Sequence, residues 1–494
     1  MHDFTDLIDL ASERLGGAVL HANDEFFAEK ENLLRPTPAV FLEGKYTDRG
    51  KWMDGWETRR RRTPGHDFCL VRLGLSGVVR GVVVDTAFFR GNFPSHAAIS
   101  ACAARADASA EELLSERTTW VPLLAKSPLS GDARNAFAID VPWRFSHLRL
   151  EIFPDGGVAR LRVHGDAVPD GRAMGRHEID LAAIEQGAMS LACSDMFFGE
   201  RQNLLMPGRA ANMGDGWETR RRRGPGHDWN LIRLAAAGEL RAIELDTNHF
   251  KGNYPDTAMV EGILAPGADP IALQSAAGWA EVVPRTKLQA HTRHMFGGEL
   301  AARGPFSHLR LSVFPDGGIS RLRAWGAPSE AGLAAARVRW LDTLSPELAE
   351  STLASCCASR AWARAMADAR PFGDLDALLA KADRAWASVS DTDVREAIAA
   401  HPRIGERASQ ARERAEQSGV ASASADVLAR LDAGNRAYEE KHGHVYLVCA
   451  TGKSGDELLA TLAARLGNDA ATELANAREE QRKITALRLR KLCS

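Results

Sequence analysis

The sequence predicts a multidomain protein in which two tandem all-β sandwiches of the jelly-roll type precede an all-α helical bundle. The first observation is a nine-residue string, DGWETRRRR, that occurs at Asp54–Arg62 and again at Asp215–Arg223. The second is a change of character after Gly326, beyond which Ala, Leu, Arg and Glu dominate and turn residues become sparse. A length of 494 residues fits three domains, since a typical domain has about 150 residues.

Two further strings repeat with the same offset of 161 residues. DTAFFRGNFP begins at Asp85 and DTNHFKGNYP at Asp246, while FSHLRLEIFPDGG begins at Phe145 and FSHLRLSVFPDGG at Phe306. Three patches in one register indicate a duplicated domain. The first copy carries extra residues around 41–50, which we place in a surface loop.

Each copy is predicted to be β-rich. The run Val78–Val84 is short, apolar and bounded by turn residues, and Leu148–Phe153 alternates with a period of two. The PDGG that follows predicts a hairpin turn leading to a second alternating run at Arg160–Val163. Many short strands with frequent turns are typical of a sandwich or jelly roll.

The third unit is predicted to be helical from near Val338. Ser345 and Pro346 form a helix start, and Ser454–Leu466 has a Ser cap, acids in its first turn and Gly467 after its end. The last helix places one stripe inward: Leu474, Ala477, Gln481, Ile484 and Arg488. We expect domains at 15–170, 180–327 and 338–494, with a linker at 328–337.

Composition excludes several classes of protein. A net charge of −3 argues against a general polyanion binder, so no nucleic-acid partner is expected. The seven cysteines are odd in number and form no CxxC, which is typical of reduced thiols. The N-terminus resembles no signal peptide and no apolar run is long enough for a membrane span. We therefore expect a cytoplasmic protein without a membrane partner.

The duplicated strings are rich in groups that bind anions and move protons. Arg binds carboxylates through paired hydrogen bonds, and His, Asp and Glu act as general acids and bases. If Arg59–Arg62 lie on a strand, alternate side chains point to opposite faces, so at most half face one pocket. The candidates are Glu57, Arg59, Arg61, His66, Asp67 and Asp85 and, in the second copy, Glu218, Arg220, Arg222, His227, Asp228 and Asp246.

Structural roles for these residues stay open. An arginine at a strand edge is commonly part of an ion-pair ladder or a solvated face. The sequence Pro-Gly-His-Asp is equally a turn in which Asp bonds its own backbone. The His, Asp and Glu residues match no tight metal-ligand spacing, so a metal site is left as unknown.

The strings GWETRRRR…GHD, DT…F.GN[FY]P and FSHLRL..FPDGG, all duplicated, closely resemble those of allantoicase over about residues 15–326. The resemblance implies two galactose-binding-like sandwiches in tandem and hydrolysis of allantoate to ureidoglycolate and urea. Such a site must hold a carboxylate, activate water and protonate the departing urea. Both copies keep the full string, so the sequence does not say which one is active, and a divalent metal for this reaction is left open.

Three points of the helical unit carry possible chemistry. His401 precedes Pro402 at a break between helix and loop, because proline holds the residue before it out of the α conformation. Glu416 follows downstream, and Arg488 lies on the inward stripe, where a charge needs a partner or a ligand. The plainer interpretations are a capping His, a surface acid and an Arg that complements the helix dipole.

A set of motifs in this order and spacing resembles OHCU decarboxylase, which acts on 2-oxo-4-hydroxy-4-carboxy-5-ureidoimidazoline. They are CCASRAWA (Cys356–Ala363), HPRIGE (His401–Glu406), EQSGV (Glu416–Val420), NRAYEEKHGHVYLVCATG (Asn435–Gly452), RLGND (Arg465–Asp469) and KITALRL (Lys483–Leu489). The resemblance implies an all-α bundle that yields (S)-allantoin without a cofactor. It departs from the family at Glu413, where a Ser is usual, and at His442, where an aromatic residue is usual.

The resemblance also implies the residues of the decarboxylase site. It makes His401 catalytic, Glu416 the ureido-binding acid and Arg488 the arginine on the carboxylate side. The implied substrate contacts are Pro402, Gln417 and the backbone of His444, Val445, Tyr446, Leu447 and Val448.

Together these resemblances predict a bifunctional, homo-oligomeric enzyme of urate breakdown with small ureido substrates. The two reactions are not consecutive, because ring opening of allantoin lies between them. The main rival hypothesis is a carbohydrate- or protein-binding module without hydrolase activity. A second rival is nucleic-acid binding through the arginine runs, which predicts a steep salt dependence of affinity.

Overall fold

Two units make up the part of the chain that the computed structural model describes, residues 3–404 and 423–494. The first, Met1–Ala336, holds both repeats, and the second, Arg337–Ser494, is helical. Among the described helices, none combines the length and the apolar character that crossing a bilayer requires.

The first repeat is built from strands and short helical turns. Its strands are β1 (Ile8–Asp9), β2 (Ala18–Ala22), β3 (Tyr46–Thr47), β4 (Gly50–Lys51), β5 (Trp56–Glu57), β6 (Asp67–Asp85), β7 (His96–Cys102), β8 (Val121–Pro128), β9 (Arg134–Ala138), β10 (Arg144–Phe153), β11 (Gly157–Val158) and β12 (Arg160–Ala167). A five-residue helix, α1 (Ala110–Leu114), lies between β7 and β8. The extra residues of this copy include the small hairpin of β3 and β4.

The second repeat reproduces this order without the hairpin. Its strands are β13 (Ile179–Asp180), β14 (Met189–Cys193), β15 (Trp217–Glu218), β16 (Asp228–Asp246), β17 (Thr257–Ile263), β18 (Ala280–Lys287), β19 (Arg293–Phe296), β20 (Phe306–Phe314), β21 (Gly318–Ile319) and β22 (Arg321–Pro328). The helix α2 (Pro270–Gln274) matches α1. The main sheets have equivalent strand orders, β1-β12-β6-β10-β7-β8 and β13-β22-β16-β20-β17-β18.

One long strand organises each sandwich. In the first repeat, β10 pairs with the beginning of β6, where Ile152 lies opposite Asp67, and β12 pairs with its end, where Arg160 lies opposite Asp85. The hairpin predicted at PDGG is therefore wrong, because β10 and β12 pair with β6 and not with each other. The short PDGG connection instead brings the two ends of the bent strand to one end of the sandwich.

Each core is built around the tryptophan of the duplicated string. Trp56 and Trp217 are fully buried, and each indole Nε1 donates to a backbone carbonyl, of Asp24 and Asp195 respectively, at 2.8 Å. Thr58 is also buried, and its hydroxyl accepts a hydrogen bond from the backbone of Gly156 at 3.1 Å. These contacts attach the string to the PDGG loop and give several of its residues a structural role.

Helices follow the second repeat in the chain. The first, α3 (Glu330–Asp342), runs across the boundary between the two units at Ala336. The described helices of the second unit are α4 (Pro346–Ala354), α5 (Arg360–Asp368), α6 (Leu375–Ser388), α7 (Asp391–Ala399), α8 (Ala425–His442), α9 (Gly455–Arg465) and α10 (Ala470–Leu492). The segment predicted as a linker, 328–337, is mostly helical, because α3 begins at Glu330, two residues after β22 ends at Pro328.

The predicted helix ends are confirmed, and on the last helix the predicted inward stripe is buried from Ala477 to Arg488, whereas Leu474 is half-buried. Ser345 caps α4 with Pro346 at its first position, and Ser454 forms a capping box with Glu457 at the start of α9. On α10, Gln481 and Arg488 are buried. Both polar side chains therefore sit on the face that packs into the unit, where each requires a partner.

Candidate active sites

The duplicated strings meet at one end of each sandwich. In the first repeat, Asn92 of the GNFP string donates to Oε1 of Glu57 at 2.7 Å, and the backbone N–H of Arg61 donates to Asp155 of the PDGG loop at 2.8 Å. In the second, Asn253 donates to Glu218, and the N–H of Arg222 donates to Asp316 at 2.8 Å. Three strings that are far apart in sequence thus form one loop cluster in each copy.

The arginine run is not a strand. The strand that begins the string ends at Glu57 in the first copy and at Glu218 in the second, and the arginines follow in an irregular segment. The expectation of strand alternation is therefore wrong, because the backbone of Arg61 is hydrogen bonded to the side chain of Asp155 instead of to a neighbouring strand. The arginines nevertheless differ in exposure, with Arg61 more buried than Arg59.

Two arginines of each run pair with acids. Arg59 donates to Asp24 at 2.6 Å, and Arg220 donates to Asp195 at 3.0 Å. These two arginines are about two-thirds exposed, so their ion pairs contribute little to stability.

The other paired arginine of each run, Arg61 or Arg222, contacts a buried aspartate. Arg61 donates to Asp67 at 3.0 Å, and Arg222 donates to Asp228. Asp67 also accepts from Asn23 at 3.0 Å, and Asp228 from Ser194 at 3.0 Å. Each of these buried acids therefore orients the arginine that it contacts.

The glutamate of each string is held in a less polar setting. Burial raises the pKa of Glu57 and of Glu218, and the hydrogen bonds from Asn92 and Asn253 only partly offset it. A carboxyl group whose pKa is raised by burial beside a set of arginines is a candidate proton donor.

The histidines lie where the loop cluster meets the sheet. Nε2 of His66 lies 3.2 Å from Oε1 of Glu151, and its ring packs 4.8 Å from that of Phe153. The ring of His227 packs 4.5 Å from that of Phe314. Burial, with the nearby Arg222 and Arg310 guanidinium groups, lowers the pKa of His227.

The structure does not join Asp85 and Asp246 to these groups. Asp85 accepts from the backbone N–H of Ala87 at 2.9 Å, and Asp246 from that of Asn248 at 2.8 Å. Both contacts are those of an acid that forms the turn after a strand.

A cavity of about 390 Å³ lies beside the loop cluster of the second repeat. Its lining combines polar groups with an apolar wall: His227, Trp229, Leu231, Met259, Glu261, Leu273, Gln274 and Arg310. Arg310 donates from Nε to Glu261 at 2.8 Å and lies over the ring of Trp279 at 4.7 Å. A cavity of this size is sufficient for a small ligand, since such sites measure roughly 300–1,000 Å³.

In the helical unit, several predicted residues line one pocket. His401 and Pro402, just after α7, meet Tyr446, Leu447 and Val448 there. Ile484 and Leu487 of α10 supply an apolar wall. Nε2 of His401 lies 2.9 Å from Oε1 of the buried Gln481.

A buried polar cluster supports the segment that lines this pocket. Arg465 donates from Nη1 to the carbonyl of Leu447 at 2.7 Å and from Nε to Glu473 at 2.8 Å. Glu473 is fully buried and also accepts from Tyr438 and Asn468. The arginine therefore fixes the backbone between α8 and α9.

Other predicted residues of the decarboxylase site fall outside this pocket or outside the described residues. His444 and Val445 lie in the same segment, and Nδ1 of His444 is 3.0 Å from the carbonyl of Val445. Arg488 is buried on α10. Glu416 and Gln417 lie outside the described residues, 3–404 and 423–494, as does Glu413.

Comparison with known proteins identifies the first unit. The allantoicase repeat model matches residues 8–168 and again 179–329. The chain belongs to the allantoicase family.

Relatives of known name agree with this membership. A protein named probable allantoicase 2 from Burkholderia pseudomallei (strain K96243) is 49% identical over 321 residues, which cover 65% of this chain and 94% of that relative. One named probable allantoicase from Pseudomonas fluorescens (strain SBW25) is 46% identical over 329 residues, 66% of this chain and 98% of its own. The crystal structure of allantoicase from Saccharomyces cerevisiae is 35% identical, with a TM-score of 0.53, and covers 65% of this chain and 92% of its own.

The helical unit matches a different family. The OHCU decarboxylase model matches residues 342–490, so an OHCU decarboxylase domain follows the two allantoicase repeats. These matches confirm both resemblances and favour an enzyme over a binding module.

Sequence reasoning missed several residues at these sites. Arg149 and Arg310 stand at equivalent places in the FSHLRL string, yet only the structure shows that Arg310 shares a cavity with His227 and that Arg149 and His66 both contact Glu151. Glu151 and Glu261 were missed because they are not at equivalent positions. Arg465 belongs to the RLGND motif, but the sequence suggested no role for it. Gln481 was predicted to face inward, but not to contact His401.

Within residues 3–404 and 423–494, no group of three or more His, Cys, Asp and Glu side chains is arranged to hold an ion. Burial raises the pKa of Cys102 to about 12 and that of Cys357 to about 11.

Proposed function

We propose that this chain is a bifunctional enzyme of purine catabolism that hydrolyses allantoate to ureidoglycolate and urea and decarboxylates OHCU to (S)-allantoin. The observation that carries the proposal is the presence in one chain of allantoicase repeats at 8–168 and 179–329 and an OHCU decarboxylase domain at 342–490. The two sites lie in separate units, and each has the groups that its reaction needs.

Allantoate hydrolysis replaces one C–N bond with a C–O bond. A water oxygen bonds to the carbon that carries the carboxylate, the bond from that carbon to one ureido nitrogen breaks, and a water proton ends on the departing urea. The chemistry requires a cation for the carboxylate, a base for the water and an acid for the leaving nitrogen. Arg61, His66 and Glu57, or Arg222, His227 and Glu218, supply these types of group at one end of each sandwich.

OHCU decarboxylation breaks a C–C bond without an external electron acceptor. The electron pair of the departing carboxylate moves into the ring C=N, whose nitrogen takes a proton from solvent. Transfer of the 4-hydroxyl proton to C5 then gives the carbonyl and the new C–H bond of (S)-allantoin. His401 carries out this transfer, because a histidine with a pKa near neutrality can accept and return a proton. Arg488 stabilises the negative charge of the substrate.

The chain's own residues suffice for this decarboxylation, so the decarboxylase is proposed to act without a cofactor. For the hydrolase, a divalent metal remains open and is part of the test. The substrates of both sites are small ureido compounds. We also expect a homo-oligomer located in the cytoplasm.

Each activity has its own assay. Pure protein is incubated with allantoate, with and without added Mn²⁺, and urea is measured; no urea in either condition rejects the hydrolase. Freshly made OHCU is then supplied, and the circular dichroism of (S)-allantoin is followed. His401→Ala is expected to abolish enzyme-dependent formation of this enantiomer, and an unchanged rate rejects the proposed role of His401.

A further inference from the structure

The two repeats differ in the position of one acid beside the sheet arginine. Arg149 and Arg310 are equivalent at the repeat offset. In the first repeat the acid is Glu151 on β10, two residues after Arg149, and the second has Ser312 there. In the second repeat the acid is Glu261 on β17, where the first has Ser100. The same carboxylate thus comes from different strands.

The strand register shows where each of these two carboxylates lies relative to the loop cluster. Glu151 is paired across the strands with Phe68 and Ala98, one row nearer the loop cluster than Arg149. Glu261 is paired directly with Arg310, in the row farther from the loop cluster. In the second repeat, the row nearer the loop cluster instead contains Ser312, between Trp229 and Met259. The negative charge is therefore farther from the histidine in the second repeat.

The contacts of the two histidines, His66 and His227, differ accordingly. His66 is held by Glu151, with Nε2 to Oε1 at 3.2 Å, and Glu151 lies 3.1 Å from Arg149. Glu261 pairs with Arg310 through both Nε and Nη2, each at 2.8 Å. Within the described part of the chain, neither ring nitrogen of His227 has a hydrogen-bond partner.

The second repeat also has the cavity for a ligand. His227, Glu261 and Arg310 line it together, and Gln274 adds an amide at its edge. Arg285 stacks over Phe314 at 4.0 Å, the ring that also supports His227. The cavity thus combines the guanidinium of Arg310, the carboxylate of Glu261, an imidazole and an amide, which suits a ligand that carries both a carboxylate and ureido groups.

We propose that this cavity of the second repeat, and not its counterpart in the first, binds allantoate and hydrolyses it. The inference rests on the proposed hydrolase function and selects its site. Arg310, with donors left after its pairing to Glu261, binds the substrate carboxylate, and Glu261 accepts from a ureido N–H. His227 takes a proton from the attacking water and returns it to the nitrogen of the departing urea, so no proton is gained or lost.

The protonation of His227 suits this role. Burial comes first and the two neighbouring arginines second in lowering its pKa. The groups that face it are Arg222, Arg310, Asp228 and Glu261, and the acids only partly oppose the shift. The ring is therefore neutral at pH 7, the form that accepts a proton. His66 is instead held through Nε2 by the carboxylate of Glu151.

Matched substitutions in the full chain test the proposal. His227→Asn is expected to lower kcat/KM for urea release by at least about 100-fold, the lower range for loss of a general base, and the loss in His66→Asn is expected to be at least about tenfold smaller. Arg310→Gln is expected to raise KM for allantoate, whereas Arg149→Gln leaves it unchanged. OHCU decarboxylation by each variant, together with its thermal unfolding, shows whether the chain is folded.

The outcomes separate the two levels of inference. Wild-type protein that releases no urea rejects the proposed hydrolase and this site with it. Wild-type protein that releases urea while His227→Asn keeps full activity rejects only the choice of site. Equal losses in His66→Asn and His227→Asn, in folded variants that still decarboxylate OHCU, also overturn the choice of the second repeat.

Discussion

Nε2 of His401 lies 2.9 Å from Oε1 of Gln481, whose amide Nε2 donates to Oγ1 of Thr485 at 3.1 Å. The amide oxygen of Gln481 faces the imidazole and accepts, so Nε2 of His401 carries the proton in this contact. Gln481 is fully buried on α10, which makes it a positioning residue for the proposed catalytic histidine.

Replacing Gln481 therefore tests the orientation of His401. Gln481→Leu is expected to lower kcat for (S)-allantoin formation about fivefold, since one lost hydrogen bond is worth roughly 1 kcal/mol. Gln481→Glu is expected to raise the pKa of His401 and to shift the pH–rate profile upward. Unfolding curves control for stability. A profile that is the same in wild type and Gln481→Glu would contradict this role.

The buried cluster around Glu473 is expected to stabilise the helical unit. Glu473→Gln leaves Arg465 buried without its ion pair, which commonly costs about 3–5 kcal/mol. Denaturant unfolding of the full chain, followed by helical circular dichroism, measures the loss. Glu479→Gln is the control, because Glu479 forms a half-exposed pair with Arg482 on the same helix. Equal losses for both variants would show that burial does not distinguish the pairs.

The same cluster predicts acid sensitivity of the helical unit. Burial alone raises the pKa of Glu473, but hydrogen bonds from Tyr438, Asn468 and Asn476, with the charge of Arg465, outweigh it and lower the pKa to about 2. A depressed pKa contributes stability above the unfolded value of 4.5 that is lost as the pH falls towards 2. Glu473→Gln should flatten this part of the stability profile; a slope that is unchanged from wild type would contradict the assignment.

Part of the fold was predictable because duplication preserves strings, and part was not because pairing is a long-range property. PDGG has the composition of a hairpin turn, yet the partner of both flanking strands is the distant β6. The arginine run does not have the alternating faces of a strand, because the side chain of Asp155 accepts a backbone hydrogen bond that a neighbouring strand would otherwise take. Likewise, Glu151 and Glu261 were not predicted, because they lie on different strands of the two repeats and therefore do not recur at the repeat offset.

The close approach of the PDGG loop to the core gives a stability prediction. A Cβ on Gly318 would lie 2.0 Å from the ring of Phe250, which is fully buried. Gly318→Ala is expected to lower the free energy of unfolding by about 1–3 kcal/mol, the usual cost of overpacking. Gly252→Ala, where nothing lies within 4 Å of the added carbon, serves as the control. Similar thermal unfolding of the two variants would refute the predicted clash.

The acid side of the hydrolase pH profile follows from His227. Because the pKa of His227 is lowered from 6.5, its neutral form persists below that pH, and kcat/KM for urea release is expected to fall only at lower pH. Arg222→Gln removes one of the charges that lower this pKa and is expected to move the limb to higher pH. An acid limb centred above 6.5 in the wild type would be inconsistent with this assignment.

The most direct test of the central claim, two independent active sites in one chain, measures both reactions in the same preparations of wild type, His401→Ala and His227→Asn. We expect the wild type to release urea from allantoate and to form (S)-allantoin from OHCU, His401→Ala to lose only the second reaction, and His227→Asn only the first. Wild-type protein without either activity, or a single folded variant that loses both, would contradict the account.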